Sequence, residues 1–335
     1  MIYIVYLACF LISFIMQFFV MKYANKNRLY DMPGERKVHD RPIPRLGGIG
    51  IFIAFTAGFF FFGFSMQRNF MLIYAGALVL FFMNVFDDVV KGGINNKIKF
   101  LVQIILASIL FYFGIKITVF LSSRVVSYII TLLWIVGITN SFNLLDNMNG
   151  LSSGIAMISL FFLSILMFTQ GDLQLTKFAL VLLFSIGGFF VLNFPKAKIF
   201  MGDAGSNVIG FVIACIAVSG QYVAVSRLTR LPVIAPILIL SVPIYDTFSV
   251  MIIRKIKGYS IFRADTNHIS HRLTRMGLSH KNSVLIIFLV GIISGLSGFI
   301  LKDLYLYSAL VVLGQIILFY ILLTVLIYAG KKEED

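Results

Sequence analysis

The chain has 335 residues, of which 59% are hydrophobic and only 13% charged, and its formal net charge is +14. A soluble domain carries about twice that charged fraction, so a soluble globular protein is excluded. Apolar runs of about twenty residues recur, each long enough to cross about 30 Å of hydrocarbon, and they define a polytopic, all-α membrane protein.

Eleven spans are predicted in chain order, at residues 2–22, 47–65, 70–86, 98–119, 125–142, 152–170, 176–194, 207–226, 231–253, 284–301 and 304–329. The first has no basic stretch before it and no small-residue cleavage site, so it reads as a retained helix rather than a signal peptide. Cys9 and Cys215 both fall inside spans and read as buried, inert thiols, which leaves the redox compartment open. The longest non-apolar stretch is about thirty residues, so a single transmembrane domain over 1–335 is expected.

One set of loops comprises residues 22–46, 87–99, 143–151, 195–206, 254–283 and the tail 330–335. It holds 21 of the 28 Lys and Arg. The positive-inside rule makes that side cytoplasmic, which puts the N-terminus outside and the tail KKEED inside. The positive charge is then a property of the inner membrane face and of anionic lipid there, and no nucleic-acid partner is expected.

The unusual polar residues fall on the same side, although they played no part in orienting the chain. Asp87 and Asp88 close the third span in NVFDDVVKG, with Lys97 and Lys99 following. NSFNLLDNMNG carries Asn140, Asn143, Asp146, Asn147 and Asn149. FMGDAGSN carries Asp203 in a glycine-flanked turn. Asp246 lies in VPIYDTF, and ADTNHISHRL carries Asp265, His268, His271 and Arg272.

Lipid offers a carboxylate no partner. Adjacent like charges such as Asp87-Asp88 raise one another's pKa unless a cation relieves them. Mg2+ takes one or two protein carboxylates and completes its shell with water and substrate phosphate, which suits acids scattered over several loops. A glycine-flanked turn lets backbone approach a phosphate closely.

A short helix over NHISHRLTRMG would place His268, His271 and Arg272 on one face, with Arg275 one turn beyond His271. Two His at that spacing are also compatible with zinc, but no cysteine or third His is near. His39 sits in ERKVHDRPIPRLGG with Arg36, Lys37, Arg41 and Arg45. Pro42 and Pro44 stiffen that loop, and Gly47-Gly48 lets the next helix start close to its neighbours. From the residues alone, the reading is a cytoplasmic-face, Mg2+-dependent site handling one lipid-embedded and one soluble phosphate substrate.

Five stretches in order, DMPGERKVHDRPIPRLGGIG, VFDDVVKG with NKIKF, NSFNLLDNMNGLSSG, IFMGDAGSN and DTNHISHRL, resemble the polyprenyl-phosphate N-acetylhexosamine-1-phosphate transferases. That family includes the phospho-MurNAc-pentapeptide translocase and the enzymes that start teichoic acid and O-antigen synthesis. The first loop and the last motif are similar to the UDP-GlcNAc-using branch. The resemblance implies a bacterial plasma-membrane enzyme whose substrates are a UDP-N-acetylhexosamine and a polyprenyl phosphate, typically undecaprenyl phosphate, with UMP released at the inner leaflet. It implies Mg2+, or Mn2+ in its place, and relatives that often dimerise.

By the same resemblance, Asp203 is the principal metal ligand, with Asp88 and Asp146 beside it. Asp87 and Asp88 are the acidic pair near the lipid phosphate. Asn143, Asn149, Lys97, Lys99, Arg45, Asp265, His271 and Arg272 bind substrate, and His268 is catalytic.

The chain departs from the family pattern at Asn147 and Asn149, where Gly and Asp are usual, at Ser270, where His is usual, and at Lys91, where some members have a further Asp. Transporters also have many spans and buried acids, but they place polar groups and broken helices at mid-membrane. A CDP-alcohol phosphotransferase would need an Asp-Gly-rich motif that is absent here. The expectation that unifies the reading is that these distant residues meet around a single divalent ion.

Overall fold

In a computed structural model, the structure describes residues 2–32, 41–90, 92–118, 123–220, 231–260 and 265–330. Arg36, Lys37, His39, Lys91, residues 221–226 of the eighth predicted span and the KKEED tail lie outside the described residues. The chain forms two compact units, Met1–Gly220 and Gln221–Asp335.

The first unit is a helical bundle of α1 (Ile2–Asn27), α2 (Gly47–Phe61), α3 (Arg68–Val89), α4 (Asn96–Tyr112), α5 (Arg124–Leu145), α6 (Leu151–Thr169), α7 (Leu173–Asn193) and α8 (Gly202–Ser219). Its strands are two-residue pieces, β1 (Tyr30–Asp31) and β2 (Ile43–Pro44), paired antiparallel with Tyr30 opposite Pro44. The second unit contains α9 (Ala235–Ile239), α10 (Ser241–Ile256), α11 (Ile269–Arg275), α12 (His280–Ile300) and α13 (Leu306–Ala329).

Local chemistry sets where helices start. The Asn95 side chain accepts from Lys97 N at 2.9 Å ahead of α4, and Asp172 accepts from Leu175 N at 3.0 Å ahead of α7. Such caps satisfy backbone donors that have no partner inside the helix.

Eight helices among the described residues are long and apolar enough to cross a membrane. The other three predicted spans look different. Residues 47–65 yield the 15-residue α2, and 98–119 the 17-residue α4. At about 1.5 Å per residue, α2 rises about 22 Å, less than the hydrocarbon thickness. Residues 231–253 are interrupted at Leu240, between α9 and α10. Pro243 in the first turn of α10 has no N–H to donate back across that junction. Ser241 Oγ meets the Tyr320 hydroxyl at 2.7 Å, and Ser294 Oγ meets the same hydroxyl at 3.1 Å.

Helices α6, α7 and α8 form the interior of the first unit, while α1 turns Leu7, Leu11, Ile15 and Phe18 outward. Cys9 and Cys215 are buried free thiols, as their positions in the spans imply. Association in lipid relies on close packing and interhelical hydrogen bonds rather than on hydrophobic drive. The closest approach serves the site. Gly47 N donates to Phe200 O and Gly48 N to Met201 O, both at 2.8 Å, while Phe200 N donates to Pro44 O at 2.7 Å. The start of α2 is thereby stitched to the segment leading into α8.

Four helices share a buried amide layer. Gln103 of α4 donates to Asn207 of α8 at 3.2 Å and accepts from Asn140 of α5 at 2.6 Å. Asn207 in turn donates to Asn84 of α3 at 3.4 Å. Asn84, Gln103 and Asn207 are almost completely buried.

Gln103→Leu removes the middle of this chain and leaves the Asn140 donor and the Asn207 carbonyl without that partner. A loss of about 1–3 kcal/mol is expected from such unmade buried bonds, read as a lower melting temperature in detergent. An unchanged melting temperature would mean the layer contributes nothing to holding α3, α4, α5 and α8 in register.

Candidate active site

Each helix of the amide layer carries a second polar residue one turn toward the same end of the bundle. Asn84 is followed by Asp88, Gln103 is preceded by Lys99, Asn207 is preceded by Asp203, and Asn140 is followed by Asn143. Spacings of three and four residues keep both members of a pair on one helix face. The amides therefore fix the register of four helices, and that register delivers the charged groups to one place.

Asp203 is the centre of the resulting cluster. Its Oδ1 accepts from Asn143 Nδ2 at 3.1 Å, and its Oδ2 pairs with Lys99 Nζ at 2.8 Å. Asn143 Nδ2 also reaches Ser206 Oγ at 3.0 Å. Lys99 pairs with Asp87 as well, and the Ile94 N–H donates to the same Asp87 carboxylate. Asp88 is buried, and its Oδ2 accepts from Ala204 N at 3.2 Å. Arg45 Nη2 donates to the backbone carbonyl of Asp88 at 2.8 Å. Asp203 lies in the first turn of α8, where the helix end favours negative charge.

Gly202 makes this approach possible. Its φ is +74, and a Cβ there would stand 2.3 Å from Arg45 O and 2.6 Å from Asp88 Oδ2. Only glycine combines that backbone conformation with that clearance.

Asp146 caps the end of α5. Desolvation pushes its carboxyl up to about 8, with the charges of Asp203 and Asp88 acting in the same direction. Four carboxylates, Asp87, Asp88, Asp146 and Asp203, thus share this end of the bundle with two cations, Lys99 and Arg45.

Among the described residues, no three acidic, imidazole or thiol groups stand close enough to form a ready-made metal cage. The expected trio of Asp88, Asp146 and Asp203 is not such a cage as it stands. The donor set does fit Mg2+, which needs only one or two protein carboxylates. The oxygens are hard, and four carboxyl groups stand with only two cations.

The remaining expected residues of this unit are placed differently. Lys97 is exposed, because two residues along a helix is more than half a turn from Lys99. Asn149 Nδ2 reaches Pro195 O at 3.4 Å, and Asn147 Nδ2 donates to Leu144 O at 2.8 Å. Asn147 thus serves the turn that ends α5, and Asn149 ties that turn to the segment between α7 and α8.

The second unit holds its own cluster. Asp246 of α10, 1% exposed, accepts from Ile269 N through Oδ1 and meets His268 Nδ1 through Oδ2, both at 2.7 Å. The helix predicted over this motif begins only at Ile269. His268 is its extended N-cap, at φ −60 and ψ 150. The bonds to Asp246 hold that residue outside the helix, so His268 does not share the helical face of His271 and Arg272.

Asp265 is tied down by Arg254 Nε at 2.8 Å, by Asn267 N at 3.0 Å and by Asn267 Nδ2 at 2.9 Å. Desolvation alone would raise its pKa, but the Arg254 and Asn267 hydrogen bonds outweigh it and hold the carboxyl down to about 2. Arg272 Nη2 donates to Ser249 Oγ at 2.7 Å, while its buried Nε has no partner among the described residues. His271 is pushed down to about 4 by burial first and then by the charges of His268, Arg275 and His280, so it is neutral near neutral pH. Ser270, at the position where the family has His, is fully buried.

Sequence reasoning left Gln103, Asn84, Ser206 and Arg254 without a role. A Gln or Asn inside an apolar run is itself a signal, since lipid makes polar groups expensive.

A membrane-embedded helical bundle with an acidic cluster at one end defines a class, and the comparisons give it a family. The family model described as glycosyl transferase family 4 matches residues 70–221, which include Asp87, Asp88, Lys99, Asn143 and Asp203. The probable undecaprenyl-phosphate N-acetylglucosaminyl 1-phosphate transferase of Bacillus subtilis is 37% identical over 308 residues, covering 90% of this chain and 85% of its own. The decaprenyl-phosphate N-acetylglucosaminephosphotransferase of Mycobacterium tuberculosis is 30% identical over 299 residues, covering 78% of this chain and 73% of its own. The undecaprenyl-phosphate alpha-N-acetylglucosaminyl 1-phosphate transferase of Escherichia coli is 29% identical over 322 residues, covering 88% and 84%. The chain belongs to the polyprenyl-phosphate N-acetylhexosamine-1-phosphate transferases of glycosyl transferase family 4.

Proposed function

We propose that this protein transfers GlcNAc-1-phosphate from UDP-GlcNAc to undecaprenyl phosphate at the cytoplasmic face of a bacterial plasma membrane, with the whole chain acting as one transferase domain. An acceptor phosphate oxygen bonds to the β-phosphorus, the bond from that phosphorus to the bridging oxygen breaks, and UMP leaves with the electron pair. A lipid-linked sugar pyrophosphate is the product. The observation that carries the reading is the meeting of Asp87, Asp88, Asn143 and Asp203 with Lys99 and Arg45 at one end of the first unit. The names of the relatives point to the same donor group and the same kind of acceptor.

Asp203, with Asp88 or Asp146, would hold Mg2+, which when bound neutralises phosphate charge. Lys99 is poised to exchange a carboxylate partner for a phosphate oxygen. Asn143 orients Asp203. A general base is not required, because a phosphate monoester with a second pKa near 6 is mostly dianionic near neutral pH. Phosphoryl transfer depends chiefly on positioning and charge stabilisation. In the second unit, Arg272 offers a group suited to a nucleotide pyrophosphate and His268 an imidazole nitrogen for the sugar, while Asp265 holds its loop. The inward orientation rests on the distribution of Lys and Arg, and dimerisation is carried over from relatives.

The broken segment at Leu240 is a feature also found in transporters, yet the groups at that break are hydroxyls rather than charges. Membranes supplied with sugar-labelled UDP-GlcNAc separate the two readings. Label should enter the lipid extract with release of UMP. EDTA should cut the rate at least about tenfold, the scale of an electrostatic contribution of ~1.4 kcal/mol, and Mg2+ should restore it. Label found only as intact nucleotide sugar inside vesicles would instead support transport.

A further inference from the structure

Among the described carboxylates of the second unit Asp246 is the most buried, with 1% exposure, and it lies outside residues 70–221 that the family model matches. A buried carboxylate is costly unless it is paired. Its two oxygens are used differently. Oδ1 takes the Ile269 N–H and Oδ2 meets His268 Nδ1, each at 2.7 Å.

An asparagine carbonyl would serve the Ile269 N–H equally well and cost less to bury. What only a carboxylate does is accept at both oxygens at once, from the Ile269 N–H and from His268 Nδ1–H. That fixes the imidazole tautomer and the ring orientation and leaves Nε2 as the outward nitrogen. His268 has a 6% exposed side chain, so the ring is held rather than free to turn.

We infer that Asp246 is a positioning residue that locks His268 with Nδ1 protonated and Nε2 presented as an acceptor to a hydroxyl or amide N–H of the nucleotide sugar. The inference rests on the proposed transferase reading, in which His268 acts on substrate. The other titratable and charged groups of this cluster are His271, on which His268, Arg275, His280 and Asp246 itself act, Arg272 held on Ser249, and Arg254 paired with Asp265. The bond that fixes the tautomer is the one from His268 Nδ1–H to Asp246 Oδ2.

The test uses the full chain in membranes, with Asp246→Asn, His268→Gln and the double variant assayed against UDP-GlcNAc and undecaprenyl phosphate. Asn keeps the shape and the Ile269 bond, but its amide N–H2 faces Nδ1 and forces the opposite tautomer. Loss of about a hundredfold in kcat/KM is expected for Asp246→Asn, the order reached when a positioned catalytic hydrogen bond is lost. The loss should be nearly absent in the His268→Gln background, because residues that act as a unit are non-additive. The limb of the pH profile that His268→Gln abolishes should move to lower pH in Asp246→Asn.

Asp246→Asn activity within about twofold of wild type, losses that add in the double variant, or an unmoved pH profile would overturn the inference. If Asp246→Asn does not accumulate, Asp246→Glu replaces it. The longer carboxylate displaces the ring, so about a tenfold loss is expected in the native background and none with His268→Gln, whereas equal losses in both would overturn it. Wild-type protein that transfers no label at all refutes the transferase reading instead, so the two failures are distinguishable.

Discussion

Asp203→Asn is expected to lower transferase activity at least about a hundredfold, equivalent to ~2.7 kcal/mol of transition-state stabilisation, while leaving the protein folded. Asn is nearly isosteric with Asp. Its carbonyl can keep one of the two present contacts, to Asn143 or to Lys99, and Lys99 retains Asp87. The Asp203 side chain is 38% exposed, so the fold does not depend on its charge. What is lost is the carboxylate charge at the helix start, where hard-oxygen ligation and phosphate neutralisation are proposed to occur. Initial rates at matched protein levels in membranes measure the effect. Activity within about twofold of wild type would remove Asp203 from the reaction.

The second large effect is on the fold itself. Gly48→Ala should sharply reduce the yield and melting temperature of the detergent-extracted protein. A Cβ at residue 48 would lie 2.3 Å from Gly205 N, 2.6 Å from Gly205 Cα and 2.9 Å from the Ala204 carbonyl carbon. All three are backbone atoms, so no rotamer change relieves the clash. The start of α2 must move away from α8, which strains the Gly47–Phe200 and Gly48–Met201 hydrogen bonds. Overpacking of this kind costs about 1–3 kcal/mol and more where backbone is hit. It also displaces Asp203, only two residues from Gly205. Gly137→Ala, in α5 with nothing within 4 Å of its Cβ position, is the control and should be neutral or slightly stabilising. Equal melting of Gly48→Ala and wild type would mean the α2–α8 approach is looser than described.

The helices were legible because lipid demands long apolar runs, and ten of the eleven predicted stretches contain one uninterrupted helix. The exception, 231–253, carries Pro232, Pro236 and Pro243, and a proline near a helix start does not by itself announce a break. The short α2 and α4 were overextended because apolar loop residues such as Phe62 and Phe64 read like span.

The acid cluster was legible in outline, since Asp87, Asp88 and Asp203 break hydrophobic patterns. Its geometry was partly legible too. Lys97 and Lys99 cannot share a helix face, and the pairs Asn84/Asp88, Lys99/Gln103 and Asp203/Asn207 are one turn apart. The pairing of Asp246 with His268 was not legible. It joins residues 22 apart across a loop, and no local spacing encodes it. Nor was the tie of Asp265 to Arg254, which makes an expected substrate ligand part of the loop's own framework.

The proposed reaction moves the sugar together with a phosphorus atom. Purified or membrane-bound protein should be given undecaprenyl phosphate, Mg2+ and UDP-GlcNAc carrying radiophosphorus in the β-phosphate and a second label in the sugar. Both labels are expected to enter the lipid in equal amounts, and the released nucleotide is expected to be unlabelled UMP. Sugar label in the lipid with the radiophosphorus left behind in UDP would contradict the proposed reaction.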